Sequence, residues 1–500
     1  MTSGSTLPAR ARRHGERVAL RQGAEALSYA QLHRDAARIA SALLAGRDDL
    51  EEERIAFLVA PSFDYVRLQW GIWMAGGIAV PLCTSHPPPE LDYVLADAVP
   101  ERVVAAPQLA ERVEAVARAR SIAVGTVADL TTDADAELPA VGSDRRAMMV
   151  YTSGTTGGPK GVVSTHGNLE AQIGALEAAW AWTPDDAILL TLPLHHVHGI
   201  VNVVGCALSS GASCRLHPAF DAHRTWEALA GGGLTLFMGV PTMYYRLIRA
   251  WEEADEGTRR RWSDGASRLR LMVSGSAALP ETVLEEWRRI TGHTLLERYG
   301  MTETGMILSN PLTGDRIPGA VGQPLPGVEV QLVDDDGPVK GAGEGEVWVR
   351  GPAVFAEYWR RPEATREAFV GGWFRTGDVA RFDGVTYRLL GRSSVDIIKT
   401  GGYKVSALEI EETLRRHPAV GDCAVVGVAD PEWGERVVAA AVAAGAAVDD
   451  EELRAWAKER LAAYKVPREV RWLPELPRNA LGKVTKPAVQ ALFDAPAETR

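Results

Sequence analysis

Tyr151-Thr-Ser-Gly-Thr-Thr-Gly-Gly-Pro-Lys-Gly-Val162 follows a short apolar run at residues 147–150. The run reads as a buried strand, and the stretch after it as a loop of glycines and hydroxyl side chains. Backbone N–H groups and hydroxyls in such a loop can close round a cluster of anionic oxygens, with Lys160 adding a mobile positive charge. It is not a Walker A loop, because Lys160 follows Pro159 and no Gly-Lys-Ser/Thr ending is present. A glycine loop at a strand end belongs to α/β sheets, where ligands sit at strand carboxyl ends.

Working outward, Ser28-Tyr-Ala-Gln31 is a capping box, and the helix after it sets Leu32, Ala36, Ile39 and Leu43 on one face. Residues 55–59, 78–82 and 103–105 read as buried strands, separated by helices over 65–74 and 90–96. Beyond the glycine loop come a helix from about 168 to 180 and strands at 187–191, 234–240 and 269–274. Strands alternating with helices predict a parallel sheet wound on both faces. Residues 131–146, rich in Asp, Ala and Pro, read as a linker. From Val328 the texture changes to short antiparallel strands around 330–333 and 346–350, a small barrel-like piece with a solvated Asp334-Asp-Asp-Gly337 turn. Helices at 407–415 and 450–461 with strands at 420–428 and 436–444 make the tail an α/β unit of its own.

The bulk properties narrow the function. The chain has 500 residues, room for two or more domains, and is 46% apolar and 24% charged. A net charge of −11 argues against nucleic acid or an anionic membrane as a general partner. It leaves room for an anionic small molecule in a locally basic cleft. Cys83, Cys206, Cys214 and Cys423 are scattered, with no C-x-x-C spacing, which fits a reducing cytoplasm rather than a disulfide or metal framework. The longest apolar stretches, 70–83 and 437–448, are too short and too rich in Gly and Ala to span a bilayer. Arg10, Arg12 and Arg13 precede no apolar signal core, so the N-terminus reads as a solvated first helix rather than a transit peptide.

Several stretches carry chemistry. Pro193-Leu-His-His-Val-His198-Gly199 sets three histidines at i, i+1 and i+3 in a turn, a set that does not converge easily on one ion and reads as pocket lining. Arg246, just inside the helix after Val240-Pro241, reads on its own as a surface arginine. Ser274-Gly275-Ser276-Ala277 closes one strand, and Leu295-Leu-Glu297-Arg-Tyr299-Gly300-Met301-Thr302-Glu303-Thr304 ends another with an aromatic ring, a glycine turn and a carboxylate. Trp373-Phe-Arg-Thr-Gly-Asp378, Gly391-Arg392 to Lys404, and Pro477-Arg-Asn-Ala-Leu-Gly-Lys483 follow.

In this order and approximate spacing the motifs resemble the adenylate-forming superfamily of acyl-CoA synthetases, luciferases and peptide-synthetase adenylation domains, over nearly the whole chain. The resemblance implies a large N-terminal domain, residues 1–392, of two doubly wound sheets plus a small β-barrel. A small mobile α/β C-terminal domain, residues 393–500, would follow a hinge near 394–396. Residues 391–399 are one longer than the family's commonest version, so no single pivot residue is assigned. The implied reaction joins a carboxylic acid to ATP with loss of pyrophosphate, then passes the acyl group to a thiol with loss of AMP. A carboxylate is a poor acyl donor until its oxygen becomes part of a mixed anhydride, and the phosphorus transition state gathers negative charge that positioned donors stabilise.

The resemblance also implies roles. Thr152, Ser153, Gly154, Thr155, Thr156 and Lys160 would wrap the outer phosphates of ATP. Thr302 would touch the α-phosphate, and Glu303 would hold Mg²⁺ directly or through water. Tyr299, with its neighbours Glu297 and Gly300, and the Ser276-Ala277 turn would flank adenine. Asp378 would accept the ribose hydroxyls, with Arg392 nearby, and Lys483 would bridge the attacking carboxylate and the α-phosphate. After a domain rotation Lys399, Gly401, Gly402, Tyr403 and Lys404 would face CoA, the glycines letting a pantetheine arm pass close to the backbone.

The pocket stretches resemble the malonyl-CoA synthetase branch in particular. That likeness assigns His198, Asn202, Arg246, Ser274, Gly275, Met301 and Met306 to the acid pocket, with Arg246 pairing the distal carboxylate of malonate or methylmalonate. Alternatives are a short- or medium-chain monocarboxylate–CoA ligase, an adenylating enzyme loading a separate carrier protein, and a nucleotide-binding protein without turnover. The oligomeric state is not legible.

Overall fold

The computed structural model describes residues 6–130, 137–152, 159–393, 395–400, 403–430, 433–479 and 482–494. Ser153, Gly154, Thr155, Thr156, Ser394, Gly401, Gly402 and the start of the expected linker lie outside the described residues.

The larger part of the chain is built on two wound sheets, as the resemblance implied. In the nine-stranded sheet, Ser213–Leu216, Ala187–Leu190, Leu236–Gly239, Leu271–Ser274 and Leu296–Met301 lie side by side and parallel in that order. In the seven-stranded sheet, Arg146–Thr152, Ile78–Pro81, Arg54–Leu58, Arg102–Ala105 and Ala123–Thr126 do the same. Strands buried on both faces need continuous apolar sequence, and 55–58, 78–80 and 271–273 supply it. Helix Tyr29–Leu44 begins where Ser28 Oγ accepts from Gln31 N while Gln31 Oε1 accepts from Ser28 N, and Thr165 and Asn168 repeat the device at His166–Trp180.

One expectation at the front changes. Among the described residues the α-helix there is Leu7–Ala11, with Leu7, Pro8 and Ala11 buried, and a 3-10 turn with no buried residue follows at Arg12–His14, so the first helix is a packed one and not a solvated one. It leads into a strand pair, Val18–Gln22 and Glu25–Ser28, that extends the nine-stranded sheet. Gly23, at φ +59°, turns between the two strands and lets the chain reverse.

Six antiparallel strands, centred on Glu329–Asp334, Gly343–Arg350 and Trp373–Phe382, form the small β-piece and pack over Tyr299, Ile307 and Leu308. The tail forms its own five-stranded sheet with Val420–Asp430 and Gly434–Ala443 at its centre. Its core buries Glu411, neutralised by Lys486 and Arg415. The tail meets the large domain through Arg416 and Glu412, which both engage Glu281, and through Lys404 on Asp335 at 2.9 Å. The aspartate turn is solvated as expected, and the ion pair to Lys404 lies in solvent. Among the described residues no helix is long and apolar enough to cross a membrane.

Candidate active site

Parallel neighbours end at one edge, so the segments after Leu190, Gly239, Ser274 and Met301 are brought together. They are the histidine turn, the start of helix Pro241–Glu253, the Gly275-Ser276 turn and the Thr302-Glu303 turn. This is where open α/β sheets hold ligands.

The glycine loop joins two antiparallel strands, with Thr152 opposite Lys160, so Lys160 opens a second strand that sequence reading missed. Pro159 O accepts from Tyr93 Oη at 2.7 Å, which pins the chain just before Lys160. The Lys160 ammonium stands 4.9 Å from the centre of the Tyr358 ring, and Tyr358 Oη donates to Glu303 Oε1 at 3.0 Å. Burial raises the pKa of both groups; the phenol keeps its proton and donates it, a contact that works against the rise at Glu303. Glu303 offers carboxylate oxygen, the donor type Mg²⁺ takes.

Tyr299 Oη donates to Asp378 Oδ2 at 2.5 Å, and Arg392 Nε donates to Asp378 Oδ1 at 3.0 Å. This joins the nine-stranded sheet to the small β-piece beside the cleft. Ser276 adopts φ +70°, a left-handed conformation costly for a side-chain-bearing residue, and its Oγ lies 3.2 Å from His198 Nδ1. Ala277 is exposed beside it, and Gly300 leaves no room for a Cβ against Gly305 O. Glu297 is buried, with Oε1 accepting from Gly319 N at 2.8 Å. Thr302 is half-buried in the turn before Glu303.

Of the residues expected to meet the acid, Arg246 is not placed as that role requires. Arg246 is exposed, its guanidinium 5.4 Å from the Phe220 ring. Tyr244, Leu247 and Ile248 form the buried stripe of that helix, which turns Thr242, Tyr245, Arg246 and Arg249 to solvent. The buried guanidinium is instead Arg298. It is 4% exposed, and its Nε and Nη2 have no hydrogen-bond partner among the described residues. Burial lowers its pKa to about 10, which leaves it charged at neutral pH. Among the described residues Ser274 Oγ, His198 Nε2 and Asn202 Nδ2 are likewise buried and without a partner, while Asn202 Oδ1 accepts from Gln172 Nε2 at 2.6 Å. Buried polar groups are nearly always satisfied, so several orphans on neighbouring elements mark a place for a polar ligand. Arg298 carried a signal: a charge at the end of the apolar Leu295-Leu296 strand, one residue before the glycine-turn tyrosine. Met301 packs with Phe355, Tyr358 and Phe374, whereas Met306 sits in the main core with its methyl against Gly300.

From the tail, Lys483 reaches this cleft. Burial lowers its pKa, as do Arg298 and Arg392, while Asp378 opposes them. The residue as a whole keeps contact with solvent. Lys399, Tyr403 and Lys404 are exposed elsewhere on the tail: Lys399 N donates to Glu435 Oε2, Tyr403 stacks on Tyr464 at 4.2 Å, and Lys404 is held by Asp335.

Residues 7–359 match the AMP-binding enzyme family, and residues 409–483 match the AMP-binding enzyme C-terminal domain. The chain belongs to the AMP-binding enzyme family. Among curated relatives, this AMP-binding enzyme is 47% identical to the mitochondrial malonate–CoA ligase ACSF3 of Mus musculus, over 88% of this chain and 81% of that protein. It is 40% identical to a malonate–CoA ligase of Arabidopsis thaliana, over 94% of this chain and 85% of the other. Its fold matches the crystal structure of ATP-bound MatB from Rhodopseudomonas palustris with a TM-score of 0.89 at 34% identity, covering 98% of this chain and 99% of that one. The o-succinylbenzoate–CoA synthetase MenE of Bacillus subtilis, in complex with its acyl-adenylate, gives 0.85 at 27% identity, over 98% and 99%.

Proposed function

We propose that this AMP-binding enzyme is a malonate–CoA ligase that forms malonyl-CoA, AMP and pyrophosphate through an acyl-adenylate. The observation that carries the diacid reading is Arg298, charged and buried, with Nε and Nη2 unpartnered among the described residues. An apolar acyl chain would leave that charge uncompensated, at a cost of several kcal/mol, whereas a second carboxylate can take two guanidinium N–H groups at once. Ser274, Asn202 and His198 supply further polar contacts to a short, oxygen-rich acid. Curated relatives at 40–47% identity bear the name malonate–CoA ligase.

In the first half-reaction the near carboxylate of malonate attacks the α-phosphorus of ATP; a P–O bond forms and the bond to pyrophosphate breaks. Lys483 would neutralise both the attacking oxygen and the α-phosphate, and Arg298 would hold the far carboxylate. The glycine loop with Lys160 takes the outer phosphates, Asp378 with Arg392 the ribose, and Tyr299 the adenine face. Glu303 would hold Mg²⁺, which supplies charge neutralisation along the triphosphate. In the second half-reaction the CoA sulfur attacks the acyl carbon and AMP leaves. Lys399 and Lys404 on the tail would then face the thiol substrate, which requires Lys404 to leave Asp335.

A panel of malonate, methylmalonate, succinate, acetate and hexanoate with ATP and CoA tests the reading. The native chain should prefer malonate. Arg298→Met should lose malonate by about a hundredfold or more, and Arg246→Ala should stay within about threefold, since only the first removes a buried charged contact. Preference for acetate or hexanoate, or indifference to Arg298→Met, overturns the assignment.

A further inference from the structure

Glu303 and Lys160 come from different sheets, yet one side chain touches both. Tyr358 Oη donates to Glu303 Oε1 at 3.0 Å, and its ring lies 4.9 Å from Lys160 Nζ. The segment around it is stitched to the same two elements. Phe355 N donates to Glu303 O at 2.7 Å, Ala356 N to Val163 O at 2.9 Å, and Trp359 N to Gly161 O at 2.8 Å. Strand Glu357–Tyr358 thereby lies along the strand that Lys160 opens, with Tyr358 opposite Val162. Both Tyr358 and Glu303 are nearly out of contact with solvent.

We infer that Tyr358 is a positioning residue for the triphosphate end of the site, setting the Glu303 carboxylate and the Lys160 ammonium against each other. The two contacts are chemically separable. The phenol hydrogen occupies one carboxylate oxygen of Glu303, which fixes the rotation of the carboxyl group and turns the other oxygen to a cation. The ring face attracts the ammonium and limits where a long, flexible lysine can swing. Phe355, Phe374 and Val162 pack round the same ring, so replacing it by phenylalanine keeps the packing and removes only the hydroxyl. The inference rests on the reading that Lys160 and Glu303 serve ATP and Mg²⁺.

The test uses the full chain and two variants, Tyr358→Phe and Tyr358→Leu. ATP binding is measured by calorimetry without Mg²⁺ and without acid, and again across a Mg²⁺ titration. In Tyr358→Phe, ATP binding without Mg²⁺ should stay within about twofold of native, because the ring remains. The Mg²⁺ concentration for half-maximal enhancement of ATP binding should rise about fivefold or more, the order expected for one lost hydrogen bond to a charged group. In Tyr358→Leu, ATP binding without Mg²⁺ should also weaken by about threefold or more, as loss of the cation–π contact predicts. Rescue of that first property by Phe and not of the second is the signature; a merely structural tyrosine would lose both together or neither. If the native chain binds ATP with Mg²⁺ enhancement and Tyr358→Phe titrates like it, the inference is wrong. If the native chain binds no ATP at all, the site reading beneath it falls instead.

Discussion

Arg298 lies across the backbone of Gly275: a Cβ at position 275 would stand 2.3 Å from Arg298 Cζ and 2.4 Å from its Nη1. Gly275 does not occupy the left-handed region, so its lack of a side chain serves the guanidinium and not the turn. Gly275→Ala therefore leaves the backbone unstrained and pushes Arg298 from its seat. Malonate kcat/KM should fall by about a hundredfold, because a displaced positioning group costs that much without any lost residue. Mg²⁺-free ATP binding should stay within twofold of native by the same separation of the two ends of the site. A Gly275→Ala protein that still turns over malonate at the native rate would remove Arg298 from the acid pocket.

Lys483 has a pKa below the ordinary lysine value, through burial first and then the like charges of Arg298 and Arg392. Its ammonium is therefore lost at a lower pH than usual. ATP–pyrophosphate exchange, if it needs the charged lysine, should decline as pH rises, with a midpoint below 10.5, the reference value for lysine. In Lys483→Arg that alkaline limb should move upward, since a guanidinium holds its proton longer. An exchange rate that holds flat to the ordinary lysine range contradicts this placement of Lys483.

What the sequence made legible, and what it hid, follows from how far each signal reaches along the chain. Continuous apolar runs at 55–58, 78–80 and 271–273 announce buried parallel strands because burial on both faces demands it locally. The strand pair at 18–28 was hidden, since only Ala19, Leu20, Leu27 and Ser28 are buried and its neighbour, Ser213–Leu216, is distant in sequence. Arg246 and Arg298 show the same limit at the site. Helical period, with Tyr244, Leu247 and Ile248 on one face, already turns Arg246 outward. That Arg298 is buried depends on Gly275 and Tyr244 packing against it from other strands and helices, which no local pattern records. Tyr358 was missed for the same reason: both its partners lie on elements far from it in sequence.

Cys83, outside the proposed machinery, should react unlike the other cysteines. Burial opposes its ionisation, but the side chains of His195 and His86 outweigh it and bring the thiol down to about 5. Cys206 and Cys214 are pushed up by burial, and Cys423 to about 12 for the same reason. Thiolate is the reactive form, so methyl methanethiosulfonate should label Cys83 first at pH 6, with the rate falling as pH drops through about 5. Because Cys83 is only 4% exposed, the midpoint of that profile rather than the absolute rate is the readout. His86→Gln should move the midpoint up, and intact-protein mass with Cys83→Ser as control identifies the labelled thiol. First labelling at another cysteine contradicts the prediction.

Glu297 gives a stability test independent of any ligand. Burial raises its carboxyl pKa from 4.5 to about 8, against the opposing hydrogen bond from Gly319 N and the charge of Arg388. In the unfolded chain the group ionises near the ordinary value; in the folded chain it keeps its proton much longer. The folded state thus binds more protons between the two values, and stability is lost as pH rises through that window. The loss begins above about pH 4.5 and is complete above about pH 8. Glu297→Gln keeps a carbonyl oxygen for Gly319 N and has no charge to bury, so it escapes the penalty. Its thermal midpoint should be close to native at pH 5 and exceed native by several degrees at pH 8, a gap that widens steadily between. Large chains of several domains often unfold in more than one step, so the midpoint of the transition reported by the large domain is the quantity to compare. Native and variant curves that stay parallel from pH 5 to pH 8 would mean that Glu297 is ionised in the folded protein and that its burial is compensated.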